Sequence, residues 1–434
     1  MSDLFWPGDE RAGDLLTESA WLAAMVAVEQ AWLDALAESG VAPSSAWLSG
    51  VVGHSDVKEL ARGAEAGGNP VLDLAKLLRA RSGNDWIHRG LTSQDVVDSA
   101  LMLCLRDTVE TVRRHLDAQV EALVSHIEAH RRTLMAGRTL AQHAVPITFG
   151  LKAATWLTAV LDARESLAAL RFPAQIGGAA GTLAAAAALG GETTAGEAGR
   201  SGGTPAGSPA VTPALGLAER AATALGLEAR PPWHTSRRPI TAVGDALTAT
   251  TDACGRIAAD VITLSRTEIG ELSEPAGRGG SSTMPHKRNP ALSVLIRRAA
   301  LTSPGLNSTL HLAAALSNDE RPDGAWHAEW ATLRDLGRRT AVAASQTAEL
   351  LTGLVVHADR MAATVAAHHD DLLAEQDSIT AFAGAEPASD PDYLGETDRI
   401  IDAVLARADA LTAGQRAAGA PSQADPPAVI KEHE

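Results

Sequence analysis

The strongest constraint in this chain is a pair of long apolar stripes with helical spacing. Leu105, Val109, Val112, Leu116, Val120, Leu123 and Ile127 recur at intervals of three and four, an amphipathic run of about six turns. A second stripe is stricter. Leu247, Cys254 and Val261 repeat every seven residues, and so do Thr250, Ile257 and Leu264, the a/d seam of a helix packed lengthwise against others. Helices this long cannot bury such a stripe inside one small domain, so a bundle is expected, with an intersubunit bundle the economical solution. Periodicity alone also allows an ordinary bundle within one domain. The apolar fraction of 45% rests on Ala, Leu and Val, with one Tyr and four Phe in 434 residues. Ala and Leu lose little side-chain entropy in a helix, whereas strands favour β-branched and aromatic residues. The expected fold class is all-α.

Breaks in the pattern suggest an order of domains. An N-terminal helical domain occupies residues 1–85 and includes a helix over 20–36, entered through the cap cluster Thr17-Glu18-Ser19. A central long-helix bundle spans 86–350 and is interrupted near 190–213 by a Gly/Pro-rich stretch that reads as an exposed loop. A linker over 386–392 divides a shortened C-terminal helical cap (351–412), whose last helix is expected over 397–412. A disordered tail, 413–434, is expected to follow.

Charge and cysteine usage narrow the functional classes. A formal charge of −16 without a long basic run excludes a nucleic-acid partner. Cys104 and Cys254 lie in helical text without metal-ligand spacing and read as buried thiols of a reducing compartment. No signal-like start and no run of about 18 apolar residues is seen, so a cytoplasmic protein with no membrane partner is expected.

Three segments interrupt the helical text with polar residues and glycine. The first is His88-Arg89-Gly90-Leu91-Thr92-Ser93-Gln94-Asp95, where Thr92 and Ser93 could hold a carboxylate or simply cap a helix, with Ser93 as N-cap. The second runs from Gly137 to Pro146, between two helices. It offers Thr139 and Gln142 as neutral donors, and His143 as a reactive or merely interhelical histidine. The third is Gly280-Ser281-Ser282-Thr283-Met284-Pro285-His286-Lys287-Arg288-Asn289-Pro290, a glycine-loosened loop ending where Pro290 restarts a helix. His286, Lys287 and Arg288 gather cations in an acidic chain, as an anionic substrate requires. His368-His369-Asp370-Asp371 reads as a solvated helix face, and no metal or other cofactor is expected.

The third segment resembles the signature Gly-Ser-x-x-Met-Pro-x-Lys-x-Asn of the fumarase/aspartase superfamily, and the other two resemble that superfamily's remaining active-site regions in the same order. The resemblance implies a central five-helix bundle with N- and C-terminal helical domains. It also implies a homotetramer whose active sites each take one segment from three subunits. On that basis Ser281 would remove a proton next to a carboxylate, with Ser282 beside it. Lys287 and Asn289 would bind the carboxylate whose charge grows, Thr92 and Ser93 a second one, and Thr139 and Gln142 would orient the substrate.

Departures from the pattern narrow the branch. Adenylosuccinate and argininosuccinate lyases and fumarases place a His after the Thr of the second segment, where this chain has Leu140. Adenylosuccinate lyases pair that His with a Glu seven residues beyond the signature Lys, where this chain has Val294. Arg321 matches their Glu-Arg phosphate pattern, but Trp326 stands where its Ser is expected. Gln142-His143, residues 177–183, Pro232-Trp233-His234-Thr235 and the stretch from Gly324 to Trp330 resemble bacterial 3-carboxy-cis,cis-muconate cycloisomerases. The expected activity is therefore a lyase or cycloisomerase working on a small polycarboxylate through a carbanion, first of all that cycloisomerisation. The alternative is a C–N lyase that releases fumarate from a substituted succinate such as nitrosuccinate. A non-catalytic helical tetramer is the remaining class, and the intact Ser281, Lys287 and Asn289 speak against it.

Overall fold

The structure, a computed structural model, describes residues 3–190, 213–384 and 392–419. The core of the loop expected at 190–213, most of the linker and the tail from 420 onward lie outside the described residues. By compactness the chain falls into two units, residues 1–119 with 162–355, and residues 120–161 with 356–434. The three successive segments drawn from the sequence cut across this division.

In the first unit, α1 (Glu18–Glu38), α2 (Val57–Gly67) and α3 (Val71–Ser82) form the N-terminal helical region. Helix α1 starts as its cap cluster requires, with Thr17 Oγ1 accepting from Ala20 N at 3.1 Å. By length and composition α1 is also apolar enough to cross a membrane. Its Trp32, Leu33 and Leu36 are fully buried within the chain, however, which is the pattern of a core helix.

The long elements are α4 (Ser93–Ala129), α5 (Phe149–Ala168), α8 (Arg238–Leu264), α9 (Ala291–Ala315) and α10 (Gly324–Thr352). Short helices α6 (Ala184–Leu189) and α7 (Ala214–Ala224) lie between them in sequence. Helices α8, α9 and α10 pack on one another. Helix α4 joins them through Gln119, whose amide donates to Ala344 O at 2.9 Å, and α5 is tied to α4 by the Arg164–Asp117 pair at 2.5 Å. The mostly helical architecture is the expected one.

Where the two seams face decides between the alternatives that periodicity left open. Every residue of the α4 stripe and of the α8 heptad is buried within this single chain. The α8 seam therefore packs in its own bundle, not against another subunit. Among the described residues α9 keeps an open apolar face, with Val294, Leu301 and Leu312 exposed and Leu316 exposed just past its end. Cys104 and Cys254 are buried free thiols. Burial pushes them up to about 12 and about 11, so neither is poised as a nucleophile.

The second unit contains the longer of two strand pairs found among the described residues. The segment placed between two helices is a β-hairpin, β1 (Leu134–Thr139) with β2 (Gln142–Thr148), antiparallel and bulged between Ala136 and Arg138. Gly137 sits at the bulge, and a Cβ there would meet Val145 O at 2.6 Å. Helices α11 (Ala358–Ala367) and α12 (His369–Ala383) pack on β1 and β2 respectively. Arg131 ties α13 (Thr397–Gly419) to the same unit through Asp398 and Asp402. Helix α13 continues seven residues beyond the expected stop at Thr412. A second minimal sheet pairs β3 (Leu272–Ser273) with β4 (Val355–Val356).

Candidate functional site

The first segment is organised by a carboxylate. Helix α4 begins at Ser93, so Thr92 and not Ser93 takes the capping position, and Ser93 is buried. Asp95, fully buried one turn in, reaches back to accept the Thr92 N–H at 3.0 Å. The same carboxylate accepts Gly177 N and Gly178 N, both at 2.9 Å, and the Gln175 amide at 3.0 Å. Four donors thus satisfy one buried charge and staple the 175–178 stretch to the start of α4. His234 Nε2 lies 3.5 Å from the same carboxylate.

Arg321 joins this cradle. It donates to Thr92 Oγ1 and, at 3.4 Å, to Ala179 O, while its buried Nε has no partner among the described residues. Its guanidinium thus stands beside the start of α4, where free helix N–H groups favour an anion.

Beneath lies a fully buried charge group. Arg237 forks onto Asp98 at 2.7 and 3.1 Å and onto Glu329, with Nε to Oε1 at 3.0 Å. Trp326 Nε1 and the Gln94 amide complete the Asp98 shell, each at 3.0 Å. Trp326 is thus a core residue that supports the cradle from below. Burial pushes the Glu329 carboxyl up, and Arg237 offsets only part of it. Arg237 itself is held well above its usual range, because Asp98 and Glu329 outweigh its desolvation.

The signature loop is the opposite kind of object. Its ends are pinned by backbone and carboxylate: Glu274 accepts Leu292 N and Ser293 N at 3.0 and 2.7 Å, and Gly279 O accepts Asn289 N at 2.8 Å. Gly279 has φ +70°, and a Cβ there would fall 1.9 Å from Asn289 O. Between the pins Ser282, Lys287 and Asn289 are exposed and Ser281 is half-buried. Ser281 Oγ accepts from Met284 N at 3.2 Å and Thr283 N at 3.4 Å. Backbone donors aimed at a hydroxyl oxygen favour its deprotonated form. The Asn289 amide donates to Gly279 O at 3.0 Å, leaving its second N–H to give.

The third group of candidates sits on the hairpin of the second unit. Thr139 pairs with Gln142 and Arg138 with His143 across the strands, and Thr139, Gln142 and His143 are exposed. The two-residue tip is Leu140-Ala141, at φ 48° and 66°. Positive φ at both tip positions is the geometry that usually requires Asn-Gly. Leu140 is 98% exposed, an apolar side chain on a strained projecting turn. His368 is exposed, as expected of a solvated face, and its ring lies 4.5 Å from that of His143.

A lyase family model matches residues 58–305, more than half of the chain. The chain belongs to this lyase family, within the fumarase/aspartase superfamily. It is 43% identical over 376 residues to a nitrosuccinate lyase of Streptomyces davaonensis, covering 83% of this chain and 76% of that protein. It is 37% identical over 367 residues to a 3-carboxy-cis,cis-muconate cycloisomerase of Bradyrhizobium diazoefficiens, covering 81% and 74%. The crystal structure of 3-carboxy-cis,cis-muconate lactonizing enzyme from Pseudomonas putida matches at TM-score 0.76 and 29% identity, over 92% of this chain and 97% of that one. The protein is an enzyme, a lyase or cycloisomerase.

The residues that wire this lyase's cradle, Asp95, Asp98, Gln175, His234, Arg237 and Glu329, were not among the candidates. One signal was available. Asp95 and Asp98 are three apart in a helix start that is otherwise mostly apolar from Val96 to Leu105, so they share a buried face and demand partners there.

Proposed function

We propose that this enzyme removes a proton beside a carboxylate with Ser281 and expels, from the neighbouring carbon, a group that leaves as a stable anion. The observation that carries the reading is the pair of backbone N–H groups of Thr283 and Met284 aimed at Ser281 Oγ. Ser281 takes the proton, and the C–H electrons pass through the adjacent carboxylate as a dianion. They then form the double bond as the leaving group departs with its bonding pair. Lys287 and Asn289 hold the carboxylate whose charge grows, with Ser282 at its side. Thr92, Ser93 and Arg321 hold the other carboxylate. Thr139 and Gln142 orient the substrate, and His143 binds a carboxylate or assists the proton traffic.

Leu140 sharpens the substrate class. An amine must be protonated as it leaves, whereas nitrite or a carboxylate departs as an anion and needs no acid. An apolar residue at the hairpin tip, where acid-delivering relatives carry His, supports a leaving group of the second kind. A succinate bearing such a group, released as fumarate and nitrite, is the favoured substrate. The 43% identity to nitrosuccinate lyase supports it over the cycloisomerase expected first from the sequence. The cycloisomerisation is the second reading, favoured by the structural match over 92% of the chain, and there the carboxylate is a tethered nucleophile. No further cofactor enters this chemistry.

The working form is a homotetramer, in which each site takes one segment from each of three subunits. The exposed apolar face of α9 supports that association. A cytoplasmic location accords with the buried thiols. The test is to offer purified protein nitrosuccinate, 3-carboxymuconate, aspartate and argininosuccinate and to follow absorbance of the conjugated diacid, with nitrite assayed separately. Fumarate and nitrite appearing together from nitrosuccinate is the expected result. Consumption of 3-carboxymuconate alone reverses the order of the two readings, and turnover of neither sinks both.

A further inference from the structure

Within the first unit the signature loop is a small two-armed tip closed on itself. Asn289 N and the Asn289 amide both donate to Gly279 O, at 2.8 and 3.0 Å, and Gly280 bridges Arg288 across the arms. These bonds tie one arm to the other and not to the helices behind. One arm runs through Pro290 into α9. The other leaves the body at Pro275, which lies so close to Gly353 that a Cβ on Gly353 would meet Pro275 Cγ at 2.5 Å. Between Pro275 and the closed tip stands Gly277, at φ +92° with open space where a side chain would be, a joint with nothing to resist rotation. Arg278 follows that joint directly and forks onto Glu349 of α10, with Nε and Nη2 at 2.8 and 2.7 Å from the same Oε1. The other Glu349 oxygen accepts from Arg11, which also donates to Ser345 Oγ at 3.1 Å, one turn earlier on α10. Burial raises the Glu349 carboxyl, and Arg11 and Arg278 more than reverse this, so it is held below its usual value and stays charged.

We propose that Glu349 is a positioning residue for Ser281, acting through Arg278. The inference rests on the reading of Ser281 as the base, and goes beyond it by naming what sets the base in place. Because the tip is closed on itself, it turns as one body about Gly277 on one side and Pro290 on the other. Arg278 stands between the joint and the tip, three positions before Ser281, so a fork held there fixes the angle at which the tip leaves α10. Arg11 supplies the other half of the device. With one carboxylate oxygen engaged by Arg11, Glu349 presents the other to the loop and has less freedom to lose when Arg278 docks. An ion pair whose partners are both partly exposed contributes little to folding, which suits a tie that opens and closes as substrate enters.

The test uses full-length enzyme and whichever of nitrosuccinate or 3-carboxymuconate the wild type turns over, with limited trypsin digestion as a second readout. Arg278→Ala is expected to lower kcat/KM about three- to fivefold and to speed cleavage after Lys287 and Arg288 by the same factor, the range of one partly exposed ion pair. Its melting temperature should change little, because Arg278 is exposed. Glu349→Gln keeps the shape of the side chain without its charge and should act in the same way on rate and cleavage. Arg278→Lys keeps the charge and should recover most of both. The double variant Arg278→Ala with Glu349→Gln should be no worse than the more affected single variant, since the tie is lost only once. Wild-type kcat/KM in Arg278→Ala, a slower rate without faster cleavage, additive losses in the double variant, or a melting temperature that falls in step with the rate would each overturn the proposal. A Ser281→Ala enzyme as fast as wild type would instead overturn the reading beneath it, whatever trypsin shows.

Discussion

The signature loop and the Thr92 cradle carry complementary parts of the proposed site and are built in opposite ways. The loop is exposed between its two pinned ends, and among the described residues its bonds are chiefly backbone to backbone or to Ser281 Oγ. The cradle is a closed set of side-chain contacts in which Asp95 alone satisfies four donors and Arg237 forks onto two buried carboxylates. A group that must give and take a proton has to reach substrate and move with it, so it sits on a segment with few side-chain ties. A group that only holds a carboxylate gains from rigidity, because every donor fixed in advance is one that binding need not order. Chemistry and stability should therefore separate cleanly between the two regions.

Substituting the base tests the loop side of that contrast most severely. Ser281→Ala should cut turnover by roughly a thousandfold, within the range that one acid–base group contributes. Melting temperature should not move, since among the described residues the hydroxyl oxygen bonds two loop N–H groups. Stopped assays with circular dichroism on the same sample check both halves, and a variant of unchanged rate would show that the base lies elsewhere. Arg237→Ala is the matching blow to the cradle. It leaves Asp98 and Glu329 buried without their cation, a loss of about 3–5 kcal/mol of stability. Urea denaturation should show it as a lower midpoint with similar slope, and a loss under about 1 kcal/mol would mean the group is better solvated than its burial implies.

That division also explains how much could be read from the chain. The loop's chemistry is local: eleven consecutive residues carry the serines, the lysine and the asparagine, so the motif is legible without a fold. The long helices are legible too, because their stripes repeat every three, four or seven residues. The cradle is not local. Asp95 finds Gln175, Gly177 and Gly178 some eighty residues away, and Arg237 finds Asp98 and Glu329 at distances of 139 and 92. No periodicity reports such pairs. The hairpin escaped for another reason: Leu140-Ala141 lacks the Asn-Gly that announces a two-residue turn, and a helical neighbourhood overrode the weak strand signal. The direction in which the α8 seam faces was equally hidden, since a heptad states that a partner exists without naming it.

Gly279 sharpens the comparison from inside the loop. Gly279→Ala places a methyl group against Asn289 O and forces a positive φ on a residue with a Cβ. The pin should open, displacing Asn289 and Ser281 together. The expected loss in kcat/KM is about ten- to a hundredfold, from misplacement of groups that remain chemically intact. Stability should change far less, and steady-state kinetics beside a thermal melt will separate the two. If melting temperature fell as steeply as rate, the loop would be part of the structural core and the contrast with the cradle would fail.

The smallest effect concerns the approach to the cradle, where pH is the probe. His88 precedes Thr92 by one turn, at φ 63°, and its Nδ1 lies 2.6 Å from Glu29 Oε1, a carboxylate with no solvent exposure. Burial lowers the His88 affinity for a proton, and the Glu29 charge and hydrogen bond more than reverse this, so the imidazole titrates above its ordinary value of 6.5. A histidine raised in the folded state contributes stability that is fully present below the unfolded value and is lost as pH rises through the folded one. The wild type should therefore lose melting temperature between pH 6.5 and the higher folded value, whereas His88→Gln should start lower and change less over the same range. Loop substitutions such as Ser281→Ala should leave that slope untouched. Parallel slopes for wild type and His88→Gln would mean that the pH dependence arises elsewhere, and that the rigidity of the cradle does not begin at this pair.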